Sequence, residues 1–288
     1  MTSLVLGTAQ FGAGYGVTNQ VGRLDDRAVR EIVAAALDGG IGVFDTAPDY
    51  GDAQERLGAL VPESGRPGYV SKFGLGAAAP DADLYEHSMR QLRVGQLHGL
   101  LYHRVSDLRD PRVGASWEVL RRAKDAGLIR RIGASVYDVR DLEIALDVLP
   151  GLDLLQIPGN VLDRRLLDHS EVLALHARSG EVHVRSAYLQ GLLLADPVSV
   201  PPHLAPIAEA GTVVAGLASA AGASPQSALL GYLKHHPAVD AVVIGALSAG
   251  ELATSIAAWD GAAPIDLPEF DIAPELLDPR TWAEGGAQ

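Results

Sequence analysis

The chain has 288 residues, 48% of them hydrophobic, and no cysteine, which excludes disulfides, thiolate metal ligands and cysteine nucleophiles. No apolar run reaches the roughly 18 residues that a membrane-spanning helix needs, and the formal net charge of -13 argues against nucleic acid or an anionic membrane as a partner. The first residues form no basic, apolar leader, so we expect a cytoplasmic protein.

Short apolar segments alternate with helical patterns along the chain. The first predicted strand, 4–6, runs into a glycine-punctuated loop, 7–16, that is long enough to cover a site. A helix then starts at Asp25, repeats its apolar residues at intervals of three and four, and ends at Gly39. Further strands are predicted over 43–45, 69–71, 97–102, 131–134, 154–157, 182–185 and 241–244. Helices are predicted over 54–60, 84–92, 115–126, 141–149, 170–179, 212–221, 225–235 and 249–259, with a proline-rich loop over 196–206.

Eight strands, each followed by helix, predict a parallel (β/α)8 barrel, because right-handed crossovers return the chain to the same sheet. A doubly wound open sheet is the alternative. It is disfavoured because the first loop reads Gly7-x4-Gly12 rather than the G-x-G-x-x-G of a dinucleotide-binding turn. We expect one domain over 1–288, in which 260–288 form a C-terminal loop or tail.

Reactive side chains follow three consecutive predicted strands. Asp45, Lys72 and His103 end strands two, three and four, and Tyr50 lies in the loop after strand two. Barrel enzymes keep their chemistry at these carboxyl ends, so we expect the four side chains to lie together. A tyrosine has an ordinary pKa of about 10; a neighbouring ammonium favours its phenolate, and a carboxylate keeps that ammonium charged. The set is typical of a tuned proton donor, although an acid after a strand is also a common turn residue.

Three motifs in this set resemble the aldo-keto reductase family. They are Asp45-x4-Tyr50-Gly51, Val70-Ser71-Lys72 and Leu100-Leu101-Tyr102-His103, and the resemblance extends from Leu6-Gly7-Thr8 to Val243-Ile244-Gly245. It implies a (β/α)8 barrel that binds a nicotinamide dinucleotide across its carboxyl-terminal face and passes hydride to or from a carbonyl carbon. It further implies that Tyr50 is the general acid, that Lys72 and Asp45 tune it, and that His103 orients the carbonyl.

The resemblance also implies which residues bind the cofactor. Ser135 and Gln156 match the positions that hold the nicotinamide carboxamide, and Arg185 occupies the position of a residue that stacks on the nicotinamide ring. The pyrophosphate loop and the adenosine end correspond to Ser186, Leu189, Gly191, Gly245, Ser248, Glu251 and Ser255. The substrate pocket is expected to include Phe11, Tyr15, Arg104 and Tyr188.

Several positions depart from the family pattern. Val136 replaces an asparagine, Arg185 replaces an aromatic residue, and we expect no hairpin of the kind that closes the barrel floor in many members. Glu251 stands where many members have an arginine for the 2′-phosphate of NADP. No lysine or arginine lies between Arg185 and Lys234, or between Lys234 and Arg280. We therefore predict that NAD(H) is used at least as well as NADP(H).

Arg104 and Arg185 favour a polar or anionic substrate, since guanidinium groups bind carboxylates and phosphates. Alternatively, Arg104 pairs with Asp107 and Arg185 contacts the cofactor amide. Two other functions stay open: a dehydratase or epimerase that uses the same tyrosine without redox chemistry, and a non-catalytic regulatory module that binds the dinucleotide. No metal site is predicted, because His98 and the His235-His236 pair have no carboxylate at metal-ligand spacing. The sequence predicts neither the substrate, nor the direction of reaction, nor the oligomeric state.

Overall fold

Eight parallel strands close into a barrel in which each strand pairs with the next strand along the chain. The structure, a computed structural model, describes residues 2–76 and 83–282. The last strand pairs with the first, with Ser3 opposite Ala241, so the sheet has no free edge. The predicted (β/α)8 barrel is confirmed. Its strands are β1 (Ser3–Gly7), β2 (Val43–Asp45), β3 (Gly68–Phe73), β4 (Leu97–Tyr102), β5 (Ile129–Ser135), β6 (Leu154–Pro158), β7 (Glu181–Arg185) and β8 (Ala241–Ile244).

Helices follow the strands around the outside of the barrel. They are α1 (Ala9–Gly12), α2 (Asp26–Asp38), α3 (Ala53–Leu60), α4 (Asp83–Leu92), α5 (Val113–Asp125), α6 (Val139–Val148), α7 (Ser170–Ala177), α8 (Ala205–Ala220), α9 (Pro225–Lys234) and α10 (Ala249–Asp260). The short helix α1 lies inside the predicted loop 7–16. The predicted start of α8 at residue 212 is wrong, because Pro206 lies in its first turn, where a helix needs no amide donor from that residue.

Several predicted loops contain single 3-10 turns. Two of them, Pro197–Ser199 and Pro202–Leu204, lie in the proline-rich loop, and two more, Pro274–Leu277 and Pro279–Thr281, lie in the predicted tail. Residues 283–288 of that tail lie outside the described residues. Among the residues described, no single helix is long and apolar enough to cross a membrane. The pair Pro202–Ala220 and Pro225–Lys234 passes such a test only together, and it is bent by 93°.

The buried residues form a main core between strands and helices and two smaller clusters. Val70, Leu101 and Leu154 come from β3, β4 and β6, and because these strands are not all neighbours, their cluster fills the barrel interior. Lys72 lies two residues after Val70 on the same face of β3, so the interior changes from apolar to polar toward the carboxyl ends. A second outer cluster packs α8 and α9 against the segment after β7 and against the tail residue Leu277.

A buried arginine fixes the first elements of the barrel around the Tyr50 loop. Arg56 of α3 donates hydrogen bonds to the carbonyl oxygens of Phe11 and Leu24, the latter at 2.9 Å, and pairs with Asp26 of α2 at 2.7 Å. Next to it, Gly12 approaches the Tyr50 loop so closely that a β-carbon there would lie 1.7 Å from the carbonyl oxygen of Tyr50. The tyrosine loop is therefore packed against α1 rather than free.

Replacing Arg56 with methionine should lower the free energy of unfolding by about 2–3 kcal/mol, because two buried carbonyl groups lose their donor. Urea unfolding measures the difference. Arg27→Met is the matched control, since Arg27 pairs with Glu31 at 2.8 Å on the exposed face of α2. The control should keep the wild-type midpoint, because exposed ion pairs contribute little. Equal midpoints for the two variants would show that Arg56 does not hold these elements together.

Candidate active site at the carboxyl ends of the strands

Asp45, Lys72 and Tyr50 form one hydrogen-bonded chain. Asp45 is the last residue of β2, and Lys72 is the fifth of six residues in the neighbouring strand β3. The ammonium group of Lys72 donates to Asp45 Oδ1 at 2.6 Å, to Tyr50 Oη at 3.1 Å and to the carbonyl oxygen of Thr46 at 3.3 Å. An ammonium has three protons, so all three donors are engaged and the lysine has a fixed direction.

The second oxygen of Asp45 is held from the other side of the barrel. Gln156, in the middle of β6, donates from Nε2 to Asp45 Oδ2 at 2.7 Å. From the sequence, Gln156 is expected only at the cofactor carboxamide. Its contact with Asp45 cannot be read from a local pattern, because 111 residues separate the two positions. Both carboxylate oxygens of Asp45 thus accept a hydrogen bond from a side chain that is fixed in the barrel.

His103 lies directly after β4, beside Tyr50. Its backbone amide donates to the carbonyl oxygen of Phe73 at 2.8 Å, and its ring packs edge-on against Tyr50 with centroids 5.9 Å apart. Nδ1 of the ring lies 3.3 Å from Asp49 Oδ2, which also pairs with Arg104 at 2.8 Å. The alternative partner of Arg104, Asp107, instead accepts from the amide of Leu75 at 3.2 Å.

Asp49 is a candidate site residue that is not predicted from the sequence, although it directly precedes Tyr50 and contacts two predicted site residues. A carboxylate beside an imidazole nitrogen fixes which nitrogen carries the proton and how the ring is turned. The only feature of the sequence that points to Asp49 is its position in the same loop as Tyr50, after β2.

The proton affinities of these groups differ from those expected of the isolated side chains. Burial, and then the charge of Asp45, raises the pKa of Tyr50 well above its usual value, while the charge of Arg185 acts in the opposite direction. The expected lowering by Lys72 does not prevail, because burial removes water from the phenolate. Burial also lowers the pKa of Lys72, and Asp45 opposes this. Tyr50 therefore holds its proton at neutral pH, as a proton donor must.

Burial, and then the charge of Lys72, lowers the pKa of His103 to about 4. The ring is therefore neutral at physiological pH, and it can hydrogen-bond a substrate oxygen without adding a charge beside Lys72.

A cavity of about 390 Å³ opens beside Tyr50 and extends between the loops after β1, β7 and β8. Gln10, Thr18 and Gln190 line it although sequence analysis does not single them out. The predicted site residues that line it are Tyr15, Asp45, Tyr50, Gln156, Arg185, Ser186, Tyr188, Gly191, Gly245, Glu251 and Ser255.

Seven predicted residues are not part of the cavity lining: Lys72 and His103 lie beside Tyr50, and the other five lie elsewhere. Placing Phe11 in the substrate pocket is wrong, because Phe11 is fully buried in the main core. Leu189 is likewise buried, in the outer cluster, so its side chain is not available to a pyrophosphate. Ser135 is buried at the end of β5 opposite Gln156, outside the cavity lining. Ser248 caps α10, and Arg104 is exposed and paired with Asp49.

The segment after β7 has an unusual backbone. Ser186, Leu189, Gln190 and Gly191 all have positive φ angles, of 66°, 45°, 54° and 91°. Three of the five non-glycine residues with positive φ in the described chain thus lie here. Such conformations turn successive amide groups to one side and form a concave site for an anion. Strain of this kind concentrates at functional sites.

The loop after α1 is attached to this segment across the cavity. The amide of Val17 donates to Gln190 Oε1 at 2.8 Å, and the hydroxyl of Thr18 donates to the carbonyl oxygen of Gln190 at 2.7 Å. A β-carbon on Gly191 would lie 2.5 Å from the Thr18 hydroxyl, so the close approach requires glycine there. The predicted loop 7–16 thus lines the cavity, as do Thr18 and Asn19 directly after it.

Glu251 and Ser248 form a capping arrangement at the start of α10. Ser248 Oγ accepts from the amide of Glu251 at 3.1 Å, and Glu251 Oε2 accepts from the amide of Leu247 at 2.8 Å. The S-x-x-E pattern satisfies amides that a helix start leaves unpaired. Glu251 therefore stabilises the helix and also presents a carboxylate to the cavity.

Arg185 is held against an aromatic ring rather than pointing freely into the cavity. Its guanidinium carbon lies 3.9 Å from the centroid of the Tyr137 ring, and that of Arg280 lies 3.8 Å from the same centroid. Two guanidinium groups so close to one centroid must occupy opposite faces of the ring. Arg185 also donates to the carbonyl oxygen of Val136 at 3.0 Å. The tail that carries Arg280 is thereby fixed at the mouth of the site.

Comparison with known proteins identifies a family. The family model described as the aldo/keto reductase family matches residues 3–74 and 82–272. Aldo-keto reductase YhdN of Bacillus subtilis is 30% identical over 160 residues, which cover 50% of this chain and 47% of that protein. An aldo-keto reductase of Mycolicibacterium vanbaalenii is 29% identical over 185 residues, covering 62% of this chain and 64% of that protein. The matched part thus spans about half to two thirds of the length of these relatives.

The fold is shared with solved structures. The glycerol dehydrogenase AKR11B4 of Gluconobacter oxydans superposes with a TM-score of 0.70 at 23% identity, over 91% of this chain and 87% of the other. At this identity the likeness concerns the fold alone.

The histidine ring resonances of His103 should stay constant between pH 5.5 and 8 in NMR spectra, because its pKa lies near 4. Lys72→Met should raise that pKa, since the ammonium charge is the second largest influence that lowers it. Arg104→Met, which removes a weaker influence of the same sign, is the control and should shift it less. A wild-type midpoint near the ordinary value of about 6.5 would mean that the ring is hydrated and not held neutral.

Proposed function

The chain belongs to the aldo-keto reductase family, and we propose that it is an oxidoreductase that interconverts a carbonyl compound and its alcohol with a nicotinamide dinucleotide. The observation that carries the proposal is the chain of hydrogen bonds from Gln156 through Asp45 and Lys72 to Tyr50, which ends beside a cavity. This arrangement can donate a proton from Tyr50, and its charged residues, Lys72 and Asp45, are shielded from water.

The four predicted catalytic residues, Tyr50, Lys72, Asp45 and His103, each have a defined part in this reaction. Tyr50 gives its proton to the substrate oxygen as negative charge develops there, and takes one back in the reverse direction. Lys72, 3.1 Å from Tyr50 Oη, stabilises the phenolate that is left behind. Asp45 keeps Lys72 charged, and the neutral ring of His103, beside Tyr50, orients the substrate oxygen. It donates to a carbonyl oxygen when Nε2 carries the proton, and it accepts from an alcohol hydroxyl when the proton is on Nδ1, facing Asp49. The dinucleotide, when bound, supplies or accepts the hydride at the carbonyl carbon.

The residues around the cavity suit a dinucleotide. The segment Ser186 to Gly191 is assigned to the pyrophosphate, because four of its residues have positive φ angles and backbone of this kind can turn free amides toward an anion. The amides of Leu189 and Gly191 already donate within the segment, so its other amides would bind the anion. Gly245, Glu251 and Ser255 supply polar lining at the far end, for the adenosine half. Gln156, with Ser135 beside it, is assigned to the nicotinamide carboxamide.

We assign NAD(H) as a cofactor used at least as well as NADP(H). Arg185 is the only lysine or arginine among the described residues that line the cavity, and it is already stacked on Tyr137. The carboxylate of Glu251 repels a phosphate dianion but accepts hydrogen bonds from ribose hydroxyls, as acids do in NAD-selecting sites. The contact with the amide of Leu247 also gives Glu251 a structural role that is independent of the cofactor.

The substrate is proposed to be a small carbonyl compound or alcohol with a polar or anionic group. Arg185 supports this, since it lines the cavity and is held by Val136 and the Tyr137 ring without a salt-bridge partner among the described residues. Arg104 supports it less, because Asp49 already neutralises it outside the cavity lining. A panel of neutral and acidic aldehydes and ketones, followed by the absorbance of the reduced nicotinamide, tests both the activity and the substrate class.

Tyr50→Phe should lower turnover by about 100-fold or more while the dissociation constant of the cofactor changes little, because the hydroxyl acts only as charge develops. Steady-state kinetics and fluorescence titration measure the two effects. Tyr85→Phe is the control, since Tyr85 lies on α4, outside the described cavity lining. Wild-type turnover in the Tyr50→Phe variant would show that Tyr50 is not the general acid. If the wild-type protein binds the dinucleotide but turns over no carbonyl compound, a regulatory module is favoured instead.

Glu251→Arg should shift the ratio of the NADH and NADPH dissociation constants toward NADPH by about fivefold to tenfold, because a cation replaces an anion at the adenosine end. Glu251→Gln separates charge from capping, since its amide oxygen can still accept from Leu247. That variant should shift the ratio in the same direction by a smaller factor. A wild-type enzyme that binds NADPH tenfold tighter than NADH would contradict the assignment and indicate cations supplied from elsewhere.

A further inference from the structure

A second cluster of titratable side chains lies at the opposite end of the barrel. It consists of His98, the second residue of β4, and of Glu181 and His183, the first and third residues of β7. Two strands, β5 and β6, separate β4 from β7 in the sheet. Contacts between them must therefore cross the barrel interior, near the amino ends of the strands. The proposed catalytic residues lie at the carboxyl ends.

The three side chains have the spacing of metal ligands. Glu181 Oε2 lies 2.9 Å from His98 Nε2 and 3.3 Å from His183 Nε2. One nitrogen or oxygen atom from each residue lies within 4.8 Å of the others. Ligands that hold zinc at about 2.0–2.1 Å in a tetrahedron stand about 3.4 Å apart. The two distances from Glu181 Oε2 are therefore within about 0.5 Å of that value, and the two histidine nitrogens lie within 4.8 Å of each other.

A surrounding layer holds the carboxylate in place. Arg131 of β5 lies 3.1 Å from the other oxygen of Glu181 and 3.2 Å from Asp153. Asp153 in turn accepts from the amide of Ile132 at 2.9 Å. Arg131 thus orients Glu181 so that one oxygen faces the two histidines. Such outer contacts orient the ligands in metal sites and strengthen binding.

The hydrogen-bonded arrangement does not satisfy every group. Nδ1 of His183 is buried and has no hydrogen-bond partner among the described residues. His98 and Glu181 are 21% and 23% exposed, which leaves room for a water molecule as a fourth ligand.

We propose that His98, Glu181 and His183 bind one divalent transition-metal ion, zinc being the ion that this donor set fits best. The ion links β4 to β7 across the barrel floor and stabilises the closed barrel. The spacing rule that predicts no metal site fails here, because Glu181 lies 83 residues from His98 and only barrel closure brings them together. His236, by contrast, pairs with Asp168 at 3.1 Å and has no third ligand among the residues described.

Titration of chelator-treated protein with Zn²⁺ against a chromophoric chelator tests the site. We expect one zinc per chain with a dissociation constant in the micromolar range or below. His98→Gln and Glu181→Gln should each weaken binding at least tenfold. His236→Gln, which alters a histidine-aspartate pair outside the proposed site, should bind zinc as the wild type does. Equal affinity of His98→Gln and wild type, or no saturable binding, overturns the proposal.

A second measurement does not depend on the folding of any variant. In crystals of the wild-type protein soaked with Zn²⁺, an anomalous difference peak should lie about 2.0–2.2 Å from one atom of each of the three residues. Zinc should also raise the thermal unfolding midpoint of wild type and His236→Gln, but not that of His98→Gln, since a ligand stabilises only a folded state that binds it. A peak elsewhere, or none, overturns the proposal. None of these readouts uses turnover, so they stand apart from the proposed oxidoreductase activity.

Discussion

A lysine and an aspartate are buried together inside this barrel, with only 1% and 5% of the Lys72 and Asp45 side chains exposed. Taking such charges out of water costs several kcal/mol per ion, and the pair persists only where geometry and further hydrogen bonds offset that cost. Tyr50, Thr46 and Gln156 supply those bonds. Because the partners come from β2, β3, β6 and one loop, the pair requires a correctly closed barrel.

The barrel interior is layered along its axis, which separates two polar regions. In β4, His98 is followed by Leu101 of the interior cluster and then, just past the strand, by His103. In β6, Leu154 of the same cluster precedes Gln156. The apolar layer separates the hydrogen-bonded group of Asp45, Lys72 and Tyr50 at one end from the cluster of His98, Glu181 and His183 at the other, so the two groups form no contact with each other. The two ends can therefore serve chemistry and stability independently, as is general for this fold.

The cavity is enclosed by segments far apart in the chain. Gln190 accepts a hydrogen bond from Val17 on one side, and Tyr137 is sandwiched by Arg185 and by Arg280 of the tail on the other. Neither contact is part of the strand ladder. The residues after β7 adopt left-handed conformations that cost energy, and their contacts with Thr18 and with the outer cluster hold them there.

The sequence alone determined the order of strands and helices, and with it the barrel, because apolar periodicity is a property of each segment by itself. It also placed Asp45, Lys72 and His103 at strand ends, since a strand end can be read locally. Tertiary structure decided which side chains meet: Gln156 with Asp45, Arg104 with Asp49, and His98 with Glu181. It also placed Phe11 in the core. Such contacts depend on strand register and closure, which no local pattern records.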